Sequence, residues 1–164
     1  VRFGAVLCGW LWQIHGGVRR FRILRSGTVL TMDNSRHVRQ NTDVPVTGDR
    51  IASIGAGLEV PAGTAEIDAA DGIVMPGMID THRHMWQTAT RGYGADWTLT
   101  NYLGYLHGCG GHFRPEDVYA GNLLAAMEAI DAGVTTTVDW SHGLRTVDHA
   151  DAAVDAPAEG GRVS

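Results

Sequence analysis

Pro76-Gly77-Met78-Ile79-Asp80-Thr81-His82-Arg83-His84 is the stretch on which the reading of this chain turns. The apolar run Gly72-Ile73-Val74-Met75 leads into it, and the Pro-Gly pair turns the chain. In a strand, alternate side chains leave on the same face. With Met78 to His84 extended, His82 and His84 point one way and Asp80 stands one step behind them. Ile79 and Thr81 face the other side, and Arg83 is directed away from the histidines. Alternate Cα atoms lie ~7 Å apart, so both imidazoles can converge on one metal ion at ~2.0–2.1 Å. A bare His-x-His is often just two solvated histidines at a strand end. Preceded by Pro-Gly-Met-Ile-Asp-Thr, the signal becomes specific.

At these residues the chain resembles the amidohydrolase superfamily, and the resemblance runs from about Phe21 to Asp155. It is nearest the branch that holds chlorotriazine hydrolases, cytosine deaminase-like enzymes and S-adenosylhomocysteine or guanine deaminases. Thr81-His82-Arg83-His84-Met85-Trp86-Gln87 followed by Arg91-Gly92 carries the likeness beyond the histidines. The resemblance implies an α/β fold: the start of a (β/α)8 TIM-type barrel, incomplete, preceded by part of a small β-sandwich. It also implies a divalent metal held by His82 and His84, most readily zinc with iron as the alternative, and substrate contacts from Trp86 and Gln87. Asp80 would lie behind the ligands.

The length sets a limit on that picture. The chain has 164 residues, enough for one ordinary domain but short of the ~250 residues of a whole barrel. A net charge of −5 provides no basic footprint, so nucleic acid is not expected as a partner. No apolar stretch reaches the ~18 residues of a membrane span, which argues against a membrane partner. Cys8 and Cys109 lie far apart in unlike surroundings and form no disulfide framework. Two free thiols fit a reducing, cytoplasmic setting.

Along the chain, four segments separate. Residues 1–20 read as an extension of uncertain structure; their short apolar run, broken by glycine, lacks the flanks of a signal peptide. Residues 21–76 read as the partial β-sandwich. Phe21–Leu24 and Val29–Met32, joined by Arg25-Ser26-Gly27-Thr28, suggest a hairpin, and Pro45 puts Val44–Val46 at an edge or a strand start. Residues 77–156 read as the first βαβ part of the hydrolase barrel. Met85–Phe113 is an irregular, aromatic-rich segment with a short helix over Leu99–His107, placed to line a pocket for a flat ring. Arg114-Pro115-Glu116-Asp117 opens a helix whose apolar face is expected at Tyr119, Leu123, Ala126, Met127 and Ile130. Val134–Val138 is a β-branched run read as a parallel partner for the first barrel strand. A last helix runs from Thr146 to about Ala156, broken by Pro157, and 157–164 reads as an irregular tail.

Chemistry in such barrels gathers at the C-terminal ends of strands. That singles out Asp139, able to brace a ligand, and His142, able to hydrogen-bond substrate. A Ser141-His142-Asp139 triad is the weaker idea, because adjacency in sequence is not catalytic geometry and there is no nucleophile elbow. His107, His112 and His149 qualify by residue type alone.

The expected function is thus the N-terminal portion of a metal-dependent amidohydrolase. It would hydrolyse non-peptide C–N bonds (deamination, amide or amidine hydrolysis, or dechlorination) of a small nitrogen heterocycle or amide-like substrate. The alternatives are a non-catalytic fragment truncated or shifted out of frame after Asp155, and a weak metal-binding module. Either way the isolated chain is expected to be inactive, since only two ligands match the motif. A homo-oligomer is compatible with the open sheet edge.

Overall fold

The computed structural model describes residues 21–160; the expected extension over 1–20 and the last tail residues, 161–164, lie outside them. The chain order is β1 (Phe21–Leu30), β2 (Val38–Thr47), β3 (Arg50–Ile51), β4 (Ala65–Asp68), β5 (Ile73–Val74) and β6 (Met78–Arg83). A 3-10 helix (Met85–Thr90), α1 (Leu99–Gly110), α2 (Pro115–Asp131), β7 (Val134–Asp139) and α3 (Val147–Gly160) follow. The result is a mixed α/β chain with two compact units. One takes the described residues up to Ile79 together with Gly133–Thr136; the other takes Asp80–Ala132 and the residues from Thr137 onward.

In the first unit β1 is the centre of the sheet. It pairs antiparallel with β2, and parallel with β4 along its first half and β5 along its second. The hairpin expected at Arg25–Thr28 does not form; Phe21–Leu30 is a single strand with register shifts on both sides of Gly27. Ser26 adopts a left-handed conformation, φ 59°, so the kink is a bulge rather than a reversal. Asp43 explains why. Its carboxylate accepts the Ser26 and Leu58 amides at 2.9 and 3.0 Å and pairs with Arg25 at 3.0 Å. Gly27 is required at the bulge, since a Cβ there would stand 2.9 Å from Val74 Cγ2. Leu24, Val29, Val44, Ala69 and Val74 form the core beneath.

Burial pushes the Asp43 carboxyl upward, but the two amides and Arg25 outweigh it, so its pKa is lowered overall. A lowered folded pKa gives stability that is fully present above the unfolded value near ~3.9 and lost as pH falls through the folded one. Asp43→Ala is expected to cost about 2–3 kcal/mol in urea melts at pH 7, because it strands two amides and Arg25. The gap to the native chain should narrow below pH ~4. A gap that stays constant with pH would show that the carboxylate does not hold the bulge.

β6 and β7 form a separate two-stranded sheet. Met78 N–H donates to the Gly133 carbonyl at 2.9 Å, and Trp140 N–H to the Arg83 carbonyl at 2.7 Å. Low numbers therefore meet low and high meet high, and the strands run parallel. Ile79, on the face of β6 opposite the histidines, is 67% exposed.

The helices depart from expectation in two places. The buried face of α2 is Val118, Gly121, Asn122, Ala125, Ala126 and Ala129, not the larger apolar residues; Met127 is 45% exposed. Small residues win because the backbone of the 3-10 helix comes so close that a Cβ on Gly121 would lie 2.7 Å from the Trp86 carbonyl oxygen. Met85 packs with Ala125 and Ala126, and Trp86 with Val118 and Ala153. The second departure is α3, which continues through Pro157 to Gly160 where a break at Ala156 was expected. No helix among the described residues is long and apolar enough to cross a membrane.

Candidate metal centre

The site lies where β6 and β7 end, within the second unit. His82 is in the last turn of extension of β6, and His84 follows the strand as the residue preceding the 3-10 helix. Their rings sit 5.1 Å apart, nearly perpendicular, and their Nε2 atoms are 3.3 Å apart. Two nitrogens each ~2.0–2.1 Å from one ion at a tetrahedral angle lie ~3.3–3.4 Å apart, so the pair has the bite of two ligands of one ion. His84 Nδ1 is 3.0 Å from the Trp140 carbonyl. A carbonyl only accepts, so the hydrogen is on Nδ1 and the Nε2 lone pair faces His82. This is the tautomer a metal needs. Among the described residues no group of three His, Cys, Asp or Glu side chains suited to an ion is present, so the residues fit half of a tetrahedral shell.

Arg83 turns away from the histidines, reaching Glu128 on α2 at 3.4 Å and Asp80 at 3.5 Å. Arg91 also pairs with Glu128. Asp80 accepts the backbone N–H of His82 at 3.1 Å; it braces the strand end rather than reaching an imidazole. Asp139 accepts the Met85 N–H at 2.9 Å and the Ser141 hydroxyl, so that hydroxyl is turned to Asp139 and not to His142.

His142 is brought to the pair. Its ring is 4.6 Å from that of His84, and its Nδ1 also meets the Trp140 carbonyl at 3.0 Å. Burial lowers its pKa, opposed by the Trp140 carbonyl and aided by the charges of His84 and His107. The neutral form, with its lone pair on Nε2, is favoured. Gln87 Nε2 lies 3.4 Å from that atom and donates to Tyr102 at 2.8 Å. Trp86 is placed elsewhere: at 2% exposure it packs edge-on against Phe113 and His142, a support beneath the site and not a wall facing it.

Three further groups join the cluster: His107, which qualified by residue type, and Tyr102 and Trp140, which were not singled out. His107 stacks on His142 at 4.7 Å, Tyr102 meets His107, and Trp140 lies 5.8 Å from His82. His107 and Tyr102 both lie on α1, and nothing local in the sequence says which side of that helix meets His142. His149 is held apart by Thr146 and the Phe113 carbonyl, and the His112 amide donates to the Cys109 carbonyl at 2.9 Å. Cys109 is a free, exposed thiol.

Two imidazoles thus converge beside the ends of β6 and β7, and comparison with known proteins gives the family. The profile of the amidohydrolase family matches residues 73–161; the chain belongs to that family. It is 36% identical over 118 residues to a 5'-deoxyadenosine deaminase of Methanosarcina barkeri, covering 71% of this chain and 27% of that protein. Its fold matches a triazine hydrolase from Arthrobacter aurescens with TM-score 0.75 at 23% identity, covering 85% of this chain and 33% of the other. It also matches an adenosine deaminase from Xanthomonas campestris with bound zinc, TM-score 0.70 at 22% identity, covering 84% and 31%. The chain thus spans about a third or less of the length of these relatives.

Proposed function

We propose that this chain carries the opening part of a (β/α)8 barrel and the first two metal ligands of a hydrolase acting on the C–N bond of a small amino-heterocycle. The observation that carries this is the 3.3 Å approach of His82 Nε2 and His84 Nε2, with the His84 tautomer set by the Trp140 carbonyl. Family membership supports hydrolysis of C–N bonds, and the deaminase relatives favour a ring amine as the group removed. The zinc in the Xanthomonas campestris structure favours zinc here. When bound, a divalent cation supplies Lewis acidity, lowering the pKa of water towards ~7.

The chain's own residues do the rest. His82 and His84 hold the ion, and the Trp140 carbonyl keeps the His84 lone pair turned towards it. His142, neutral and with Nε2 as acceptor, takes a hydrogen bond from a substrate N–H. Gln87 offers an amide to a ring nitrogen or carbonyl, and Trp86 keeps His142 from tilting away. Asp80 and Asp139 stiffen the two strand ends. The exposed edges of β6 and β7 are open to further strands, in a longer protein or in a second copy.

The test is calorimetric titration of zinc into the 164-residue chain and into H82A/H84A. The native chain is expected to bind one ion weakly, at least ~10-fold more tightly than the double variant. Equal binding would remove the two histidines as ligands and with them the proposed site.

A further inference from the structure

Pro157 stands inside α3, and proline has no N–H for the carbonyl four residues earlier. That carbonyl is Ala153, and Asn122 on α2 donates its Nδ2 to it at 3.1 Å. Asn122 is fully buried. The same nitrogen is 3.5 Å from Asp139 Oδ2, at the outer limit of a hydrogen bond. Both neighbours only accept, so the amide is oriented with its nitrogen towards them; its Oδ1 has no partner among the described residues.

Asp139 in turn holds the backbone at two places. Its Oδ1 takes the N–H of Met85, the residue after His84, and its Oδ2 takes the hydroxyl of Ser141, the residue before His142. Between them the Trp140 carbonyl accepts Nδ1–H from both His84 and His142. A turn of α3 is thus connected to both imidazoles through a single buried carboxamide.

We propose that Asn122 is a positioning residue for the histidine site: it fills the hydrogen-bond vacancy opened by Pro157 and, with the same nitrogen, keeps Asp139 where it fixes the backbone beside His84 and His142. The metal half of this proposal rests on His82 and His84 being ligands; the tautomer half does not. A purely structural Asn122 would serve α3 alone. Pro157→Ala separates the two roles, because it returns an N–H to the Ala153 carbonyl and leaves Asp139 dependent on Asn122.

The experiment uses the 164-residue chain as native protein, N122A, P157A and N122A/P157A. Two-bond proton–nitrogen spectra of the imidazoles report the tautomers, thermal melts report stability, and zinc titration reports affinity. The native chain and P157A are expected to show His84 and His142 in the Nδ1–H form. N122A is expected to melt earlier, mix the two tautomers at His84 and bind zinc about 10-fold more weakly. In N122A/P157A the melting point should return while the mixed tautomers and weak binding persist. If both return together, Asn122 serves only the helix and the proposal is overturned. Should N122A not fold, the double variant alone decides the matter. Should native chain and H82A/H84A bind zinc equally, the ligand reading falls, and the tautomer spectra still decide the role of Asn122.

Discussion

Loaded with zinc, the 164-residue chain is expected to release no ammonia from adenosine-type ring amines, and no chloride from chlorotriazines, above the level of an H82A/H84A control. Catalytic zinc normally keeps three protein ligands and one open position. Here two imidazoles converge, and no third His, Cys, Asp or Glu completes such a group among the described residues. Losing one group that merely supports a ligand typically costs ~10–100-fold in affinity or activity; an entire ligand and a proton shuttle cost far more. His142 does not complete the set, since no group of three His, Cys, Asp or Glu suited to an ion forms with it among the described residues. Turnover above the control would mean that a second chain, or a residue outside 21–160, completes the site.

Gly121→Ala is expected to be strongly destabilising. The new Cβ would stand 2.7 Å from the Trp86 carbonyl oxygen and 3.2 and 3.3 Å from its carbonyl carbon and Cα. All three are backbone atoms, so no side chain can swing aside. Nor can the tryptophan retreat, because its ring is pressed against Gly110 and Gly143, where a Cβ would meet it at 2.6 and 2.9 Å. The 3-10 helix and α2 must part, opening the contact of Met85 with Ala125 and Ala126. Overpacking of this kind costs about 2–4 kcal/mol, which lowers the melting point by about 5–15 °C. His84 lies two residues before Trp86, so zinc affinity should fall with it. Gly104→Ala is the control: a Cβ there meets nothing within 4 Å, and the change should stabilise α1 by ~0.5–1 kcal/mol. Equal melting points for G121A and G104A would refute the close approach.

What could be read from the sequence is what depends on neighbours in sequence. Alternation along Met78–His84 was enough to bring His82 and His84 together, and the order strand, helix, strand was enough to set β6 and β7 parallel. What could not be read depends on residues far along the chain. Arg25-Ser26-Gly27 looks like a turn until Asp43 seizes the Ser26 amide. Pro157 looks like a helix end until Asn122, more than thirty residues earlier, takes the carbonyl it abandons. The α2 face was misjudged because periodicity weighs large apolar residues, whereas the approach of the Trp86 backbone selects glycine and alanine. Trp86 itself was placed facing substrate because it follows the histidines; three glycines around it carve the space in which it is buried.

The bond from His84 to the Trp140 carbonyl joins residues 56 positions apart. During synthesis at ~5–20 residues per second, His84 leaves the ribosome roughly 3–11 s before Trp140 does. For that interval the nascent chain displays a histidine pair with neither imidazole locked in a tautomer and with β6 lacking its partner strand. On the proposed reading, ligation would therefore be a late event, timed by the emergence of β7, which fixes the His84 ring, and not by that of the histidines themselves.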